Sequence, residues 1–201
     1  NENQLLPLDA KSLKSIAIIG PNADQVQFGD YTWSRNNKDG VTPLQGIKNR
    51  VNKNTAIHYA KGCSLTSLDT SGIAEAVEAA KNSEVAVIFG GSASAALARD
   101  YKSSTCGEGF DLNDLNLTGA QSQLIREVYR TGTPVILVLV TGKPFVIEWE
   151  KNNLPAILVQ WYAGEQAGNS IADILFGEVV PSGRLTFSFP RSTGHLPVYY
   201  N

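Results

Sequence analysis

Methionine is missing from all 201 residues of this chain, the first residue included. That absence reads as a processed piece or fragment of a longer polypeptide, with targeting information outside it. Cysteine is nearly missing too, with only Cys63 and Cys106. Two cysteines build no disulfide framework, and neither belongs to a CxxC pair. One disulfide or two free thiols are left, and two free thiols are preferred. His58 and His195 are too few to complete a zinc set, so no metal site is expected. Both histidines read as structural, His58 in or beside a strand and His195 in a GHLP turn.

Charge of one sign is also lacking. Lys plus Arg is 17 and Asp plus Glu is 19, a net charge of −2. That balance gives no electrostatic case for nucleic acid or an anionic membrane as partner. No apolar run is long enough to span a bilayer, and no charged-then-apolar leader opens at Asn1. The first apolar run ends in Gly20-Pro21-Asn22-Ala23 where a nucleotide fold would carry GxGxxG. Pro21 even removes an N–H that a phosphate cradle would use. Walker A and the GxSxG elbow of serine hydrolases are absent as well. No cofactor is expected.

What is present alternates. Apolar runs predict strands at Ser15–Ile19, Thr55–Tyr59, Val85–Phe89, Pro134–Val140 and Ala156–Gln160. Arg184–Phe189 predicts a sixth, antiparallel at an edge. Helical spacing covers Asp69–Lys81, with Ile73, Ala76, Val77 and Ala80 on one face. It returns at Thr118–Arg130, with Leu124, Ile125 and Val128 inward, and at Glu165–Phe176. A shorter helix is expected in Val41–Val51, capped by Thr42 with Pro43 at its first position and Gln45 three residues past the cap. Strands alternating with helices imply an α/β fold: a three-layer sandwich of a mostly parallel five- or six-stranded sheet with helices on both faces. No linker or repeat interrupts it, so residues 1–201 read as a single domain, long enough for a sizeable core.

Sites in such sheets lie beyond the carboxyl ends of the strands. Three loops qualify: Gly20–Gly40, Gly90–Thr118 and Trp161–Gln166. The longest overlaps YKSSTCGEGFDLNDLNLTGAQ, Tyr101 to Gln121, where Glu108 stands between Gly107 and Gly109. Glycine lets the backbone adopt conformations other residues avoid, so this carboxylate can be aimed out of the loop. A loop this long is functional or disordered, and Gly91 to Leu117 is expected to be mobile in the isolated chain. Tyr31 and Trp33 lie in the first loop. They either stack on a sugar ring or cover the sheet end. Trp149 and Trp161 read as packing residues.

Taken together, LLPL at Leu5, SIAIIGPNA at Ser15, GDYTW at Gly29, VTPLQGI at Val41, GIAEAVEAAK at Gly72 and TGKPFVI at Thr141 resemble glycoside hydrolase family 3. AILVQWYAGEQAGNSIADILFGEVVPSGRLTFSFPRSTGHLPVYYN, from Ala156, is the most specific stretch and is similar to the periplasmic bacterial β-glucosidases of that family. The resemblance is to the family's second domain and implies an α/β sandwich working with an N-terminal barrel domain of the same polypeptide. It also implies a retaining β-glycosidase, β-glucosidase or β-xylosidase, acting on terminal β-linked sugars of an oligosaccharide or β-glucoside. The alternative is a non-catalytic sugar-binding or structural domain. By the same resemblance Glu108 matches the acid/base glutamate, and the nucleophile aspartate comes from the barrel. Asp111 matches the first member of the family's Asp-Arg pair, while Leu112 stands where its arginine would be. Tyr31 falls near an aromatic position at the leaving-group side. A periplasmic or secreted location is implied.

Overall fold

The computed structural model of the chain describes residues 1–34, 37–94, 105–109 and 111–199. Part of the long loop, residues 95–104 and 110, lies outside the described residues, and with it the expectation that Gly91 to Leu117 is mobile.

Two strands set the core. β3 (Val85–Gly91) and β4 (Val135–Val140) are buried at every position. Their runs VAVIFGG and VILVLV are apolar on both faces, as a central parallel strand must be. β1 (Ser15–Ile19) lies beside β3, β2 (Ala56–Ala60) flanks β1, and β5 (Ala156–Val159) flanks β4. All four pairings are parallel, and the order is β2-β1-β3-β4-β5.

The helices cover both faces. α2 (Ile73–Lys81) and α3 (Gln121–Tyr129) pack over Ala17, Ile19, Ala86, Ile88, Leu137 and Leu139. α1 (Pro43–Arg50) and α5 (Ala167–Leu175) pack over Ile16, Ile18, Val87, Phe89, Ile136 and Val138. Alternate residues of each strand thus feed opposite layers, the period-2 rule of a sheet. Each fully buried Ile or Leu contributes about 1.5–3 kcal/mol. Thr42 caps α1 as its sequence requires, its side chain accepting the Gln45 N–H at 3.2 Å. The expected helices start two to four residues inside their predicted limits and end at them or one residue short.

α1 and α5 touch backbone to backbone. A Cβ on Gly46 would stand 2.0 Å from the Gly168 carbonyl oxygen, and one on Gly168 would stand 2.0 Å from that of Thr42. Arg50 closes the other end of the pair on Asp173 at 2.6 Å.

Two features differ from the sequence reading. A short helix, α4 (Glu148–Asn153), was not expected there. Its six residues, EWEKNN, are too few and too polar to show a helical apolar stripe. The other correction is the sixth strand: Arg184–Phe189 pairs with nothing, and the sheet has five strands among the described residues. Aromatic packing holds that segment instead. Phe187 meets Trp161 edge-on at 5.2 Å and Phe189 at 5.7 Å. A cleft of about 960 Å³ separates the segment from β5. Both cysteines are free and buried. No helix among the described residues is long and apolar enough to cross a membrane.

Candidate active site

The strand order decides where a site can form. After β1 the chain steps outward to β2, then returns to the opposite side of β1 as β3. The loops leaving β1 and β3 therefore diverge, and the crevice between them is the switch point where such sheets bind ligands.

Each loop is stitched down as it leaves the sheet. Gly20 (φ 114°) passes so close to β3 that a Cβ there would stand 2.3 Å from the Phe89 carbonyl oxygen. Asn22 is fully buried. Its N–H donates to Phe89 O at 3.1 Å, and its amide nitrogen lies 3.4 Å from both Gly90 O and Ser92 O. On β3, the Gln121 side chain brackets Gly91, accepting its N–H at 2.8 Å and donating to its carbonyl at 3.1 Å.

The long loop closes at its neck. Thr105 N–H donates to Ala93 O at 3.2 Å, and Thr105 Oγ1 accepts the Ala93 N–H at 2.9 Å. Ser94 and Cys106 form a parallel bridge one residue further on. Behind it sits a small polar cluster. The Tyr162 hydroxyl lies 2.8 Å from Cys106 Sγ and 2.7 Å from Ser92 Oγ. Ser92 also donates to Thr141 Oγ1 at 3.1 Å. Burial pushes the Tyr162 phenol well above its usual value of 10.0, and the adjacent Cys106 sulfur adds to the push. The ring therefore stays neutral at physiological pH.

Glu108 follows immediately. Its side chain is exposed, and the glycines beside it both take positive φ, 136° at Gly107 and 69° at Gly109. Its backbone N–H donates to Asp30 Oδ2 at 2.8 Å. The other oxygen of the same carboxylate accepts the Ser94 hydroxyl. Asp30 belongs to the loop after β1, so one carboxylate joins the two loops of the switch point.

Tyr31 follows Asp30 directly, at a φ of 67°. It is 81% exposed and Trp33 is fully exposed, so neither ring covers the sheet end. The structure thus brings Tyr31 and Glu108 to one edge through Asp30. Asp111 is exposed further down the same loop. His58 and His195 stay apart from this edge, in β2 and in a turn where the His195 N–H donates to Ser192 O at 3.0 Å.

Beneath the loop lies a lysine that the sequence reading treated only as part of TGKPFVI. Lys143 is 9% exposed, and its Nζ is buried with no hydrogen-bond partner among the described residues. The ammonium sits 4.6 Å from the centre of the Phe145 ring. Burial lowers its pKa, against the opposing pull of Cys106 and Asp114. Asp30, Cys106 and Tyr162 also went unassigned. Their one sequence-level signal is position, since all follow strands at the carboxyl edge.

The family model for the "Glycosyl hydrolase family 3 C-terminal domain" matches residues 1–201. The chain belongs to glycosyl hydrolase family 3. Within the family it is 42% identical, over all of its length, to a β-xylosidase of Formosa agariphila, of which it spans 27%. It is 38% identical, again over its full length, to a periplasmic β-glucosidase of Salmonella typhimurium, of which it spans 28%. A solved β-glucosidase from Erythrobacter marinus superposes on the whole chain with a TM-score of 0.85 at 33% identity; the chain covers 29% of that protein. The five-stranded parallel sheet and its flanking helices are thus those of the family 3 C-terminal domain. The chain spans under a third of the length of each of these relatives.

Proposed function

We propose that this chain is the acid/base domain of a retaining, exo-acting β-glycosidase, with Glu108 as its proton-transfer residue. The observation that carries the reading is the setting of Glu108. An exposed carboxylate stands between two positive-φ glycines, and its amide is tied to Asp30 at the switch point of the sheet.

Retaining hydrolysis uses two carboxylates about 5–5.5 Å apart. One attacks the anomeric carbon while the other protonates the departing oxygen. The second residue then takes a proton from the water that frees the sugar. Glu108 fills the acid/base role. The nucleophile is an aspartate on a barrel domain of the same polypeptide, for which the length of the relatives leaves room. Docking against that domain supplies the burial or neighbouring anion that keeps an acid protonated. Tyr31 and Trp33 offer apolar ring faces to the sugar on the leaving-group side, and Asp111 offers a polar contact. The isolated domain, holding one of the two carboxylates, is inactive.

The substrate class is a terminal β-linked sugar, with a β-glucoside as the main reading. A β-xyloside is the second, favoured by the 42% identity to the Formosa β-xylosidase. A periplasmic or secreted location accords with the Salmonella relative.

The test uses the full-length polypeptide on aryl β-glucosides and aryl β-xylosides of graded leaving-group ability. Glu108→Ala should slow substrates with poor leaving groups by about 10²–10⁴-fold. Activated phenolic substrates should still form the glycosyl-enzyme, and azide should restore turnover as a β-glycosyl azide. Uniform losses across the series with no azide rescue would remove Glu108 from the mechanism.

A further inference from the structure

We infer that Asp30 is a positioning residue for proton transfer by Glu108, acting through the Glu108 backbone rather than on the sugar. The inference rests on the acid/base reading of Glu108.

The geometry singles Asp30 out among the described groups around the loop. The neck bridges Ser94 to Cys106, and Glu108 stands two residues beyond Cys106. Asp30 accepts the Ser94 hydroxyl on Oδ1 and the Glu108 N–H on Oδ2, so it reaches both sides of the neck. The second bond falls on the peptide unit of Glu108 itself. The other ties of the neck, at Thr105 and Cys106, stop at least two residues short of it.

The flanking residues give this bond its leverage. Gly107 and Gly109 have no side chains to brace the turn, and a Cβ on Gly109 would touch nothing within 4 Å. The peptide plane can therefore pivot unless its N–H is held. A carboxylate is the strongest acceptor a protein offers an amide, because the bond is charge-assisted. Proton transfer demands such fixing, and a displacement of about 1 Å costs on the order of 10²-fold in rate. Asp30 lies only partly buried beside the exposed Tyr31, so it adds little to the core.

Asparagine is the conservative test. Its carbonyl oxygen can still accept the Glu108 N–H. Its amide nitrogen can donate to the Ser94 hydroxyl, which accepts as readily as it donates. Alanine offers neither.

The experiment compares Asp30→Ala, Asp30→Asn and Glu108→Ala in the full-length enzyme over one series of aryl glycosides. Asp30→Ala should lower kcat for poor leaving groups by about 10–100-fold and for activated ones by less than about threefold, with KM little changed. Asp30→Asn should return the series to within about threefold of wild type. If Glu108→Ala shows the leaving-group dependence and Asp30→Ala loses rate uniformly or not at all, the inference is overturned. A uniform loss in Glu108→Ala sinks the acid/base reading, and this inference with it. Should Asp30→Ala fail to fold, site-resolved hydrogen exchange on the wild-type enzyme decides. A protected Glu108 amide supports the bond, and exchange at the free-peptide rate overturns it.

Discussion

The Tyr162 hydroxyl lies 2.8 Å from the Cys106 sulfur, two residues before Glu108. Tyr162 sits on the loop after β5, and Cys106 ends the neck of the loop after β3. The contact therefore fixes the base of the Glu108 loop from the β5 side of the sheet, away from the crevice. The ring also packs where Gly142 has no side chain, since a Cβ there would stand 2.9 Å from Tyr162 Cε2.

Removing only the oxygen tests this contact. Tyr162→Phe should lower the stability of the domain by about 1–2 kcal/mol, the range for a buried hydrogen bond lost at one partner. Ser92 keeps its bond to Thr141, which limits the loss. Urea midpoints measure the effect, and hydrogen exchange should show faster opening at Thr105. An unchanged midpoint would mean that the cluster is incidental.

The crossing of α1 and α5 should be the least forgiving packing in the fold. Gly46→Ala places a methyl 2.0 Å from the Gly168 carbonyl oxygen, on backbone that cannot turn aside. Overpacking of this kind costs about 1–3 kcal/mol or more. Gly183→Ala is the matched control, because a Cβ there meets nothing within 4 Å. That variant should stay within about 0.5 kcal/mol of wild type in thermal melts.

Glu150 on α4 should make the domain less stable at neutral pH than at mildly acid pH. It is nearly fully buried, and burial raises its carboxyl above the usual 4.5, opposed by a hydrogen bond from its own backbone N–H and by Arg126. A group whose folded pKa is raised gives its full stability below the unfolded value and loses it as pH rises through the folded one. Glu150→Gln should therefore raise Tm at pH 7 and leave it unchanged near pH 3. A lower Tm at pH 7 would show that the Arg126 attraction outweighs the burial cost.

The same sign applies to Cys63 in alkali. Burial pushes its thiol from 9.0 up to about 11. Between those pH values the unfolded chain ionises first, so stability should fall by as much as about 2–3 kcal/mol. Cys63→Ala should flatten that part of a pH series of urea midpoints. In the folded chain at pH 8 the buried, protonated thiol should react slowly with alkylating reagents.

Much of the scaffold was legible because its signals are local. PVILVLV reads as a buried strand without knowledge of its neighbours, and β4 is buried throughout. TPLQ carries its own cap. The segment from Arg184 to Phe189 also alternates like a strand, yet strand formation needs a partner edge, and its phenylalanines settle on Trp161 instead. At the candidate site, the exposed setting of Glu108 between positive-φ glycines was legible because those glycines are sequence neighbours. Asp30 was not, because its significance lies in a bond to a residue 78 positions away. Lys143 was hidden for a different reason. Surface lysines are the rule, and nothing in TGKPF says that this one loses its water.

That separation also sets a timetable. Between Asp30 and Glu108 the chain must make α1, β2, α2 and β3, and β3 must insert beside β1 before the two loops can meet. At about 5–20 residues per second of synthesis, Asp30 waits roughly 4–16 s for its partner to be made. Closing the crevice is a long-range step that needs the β1–β3 pairing already in place. A sheet completed in the wrong register would bring Asp30 and Glu108 to different heights. The junction between them thus reports on the correctness of everything folded before it.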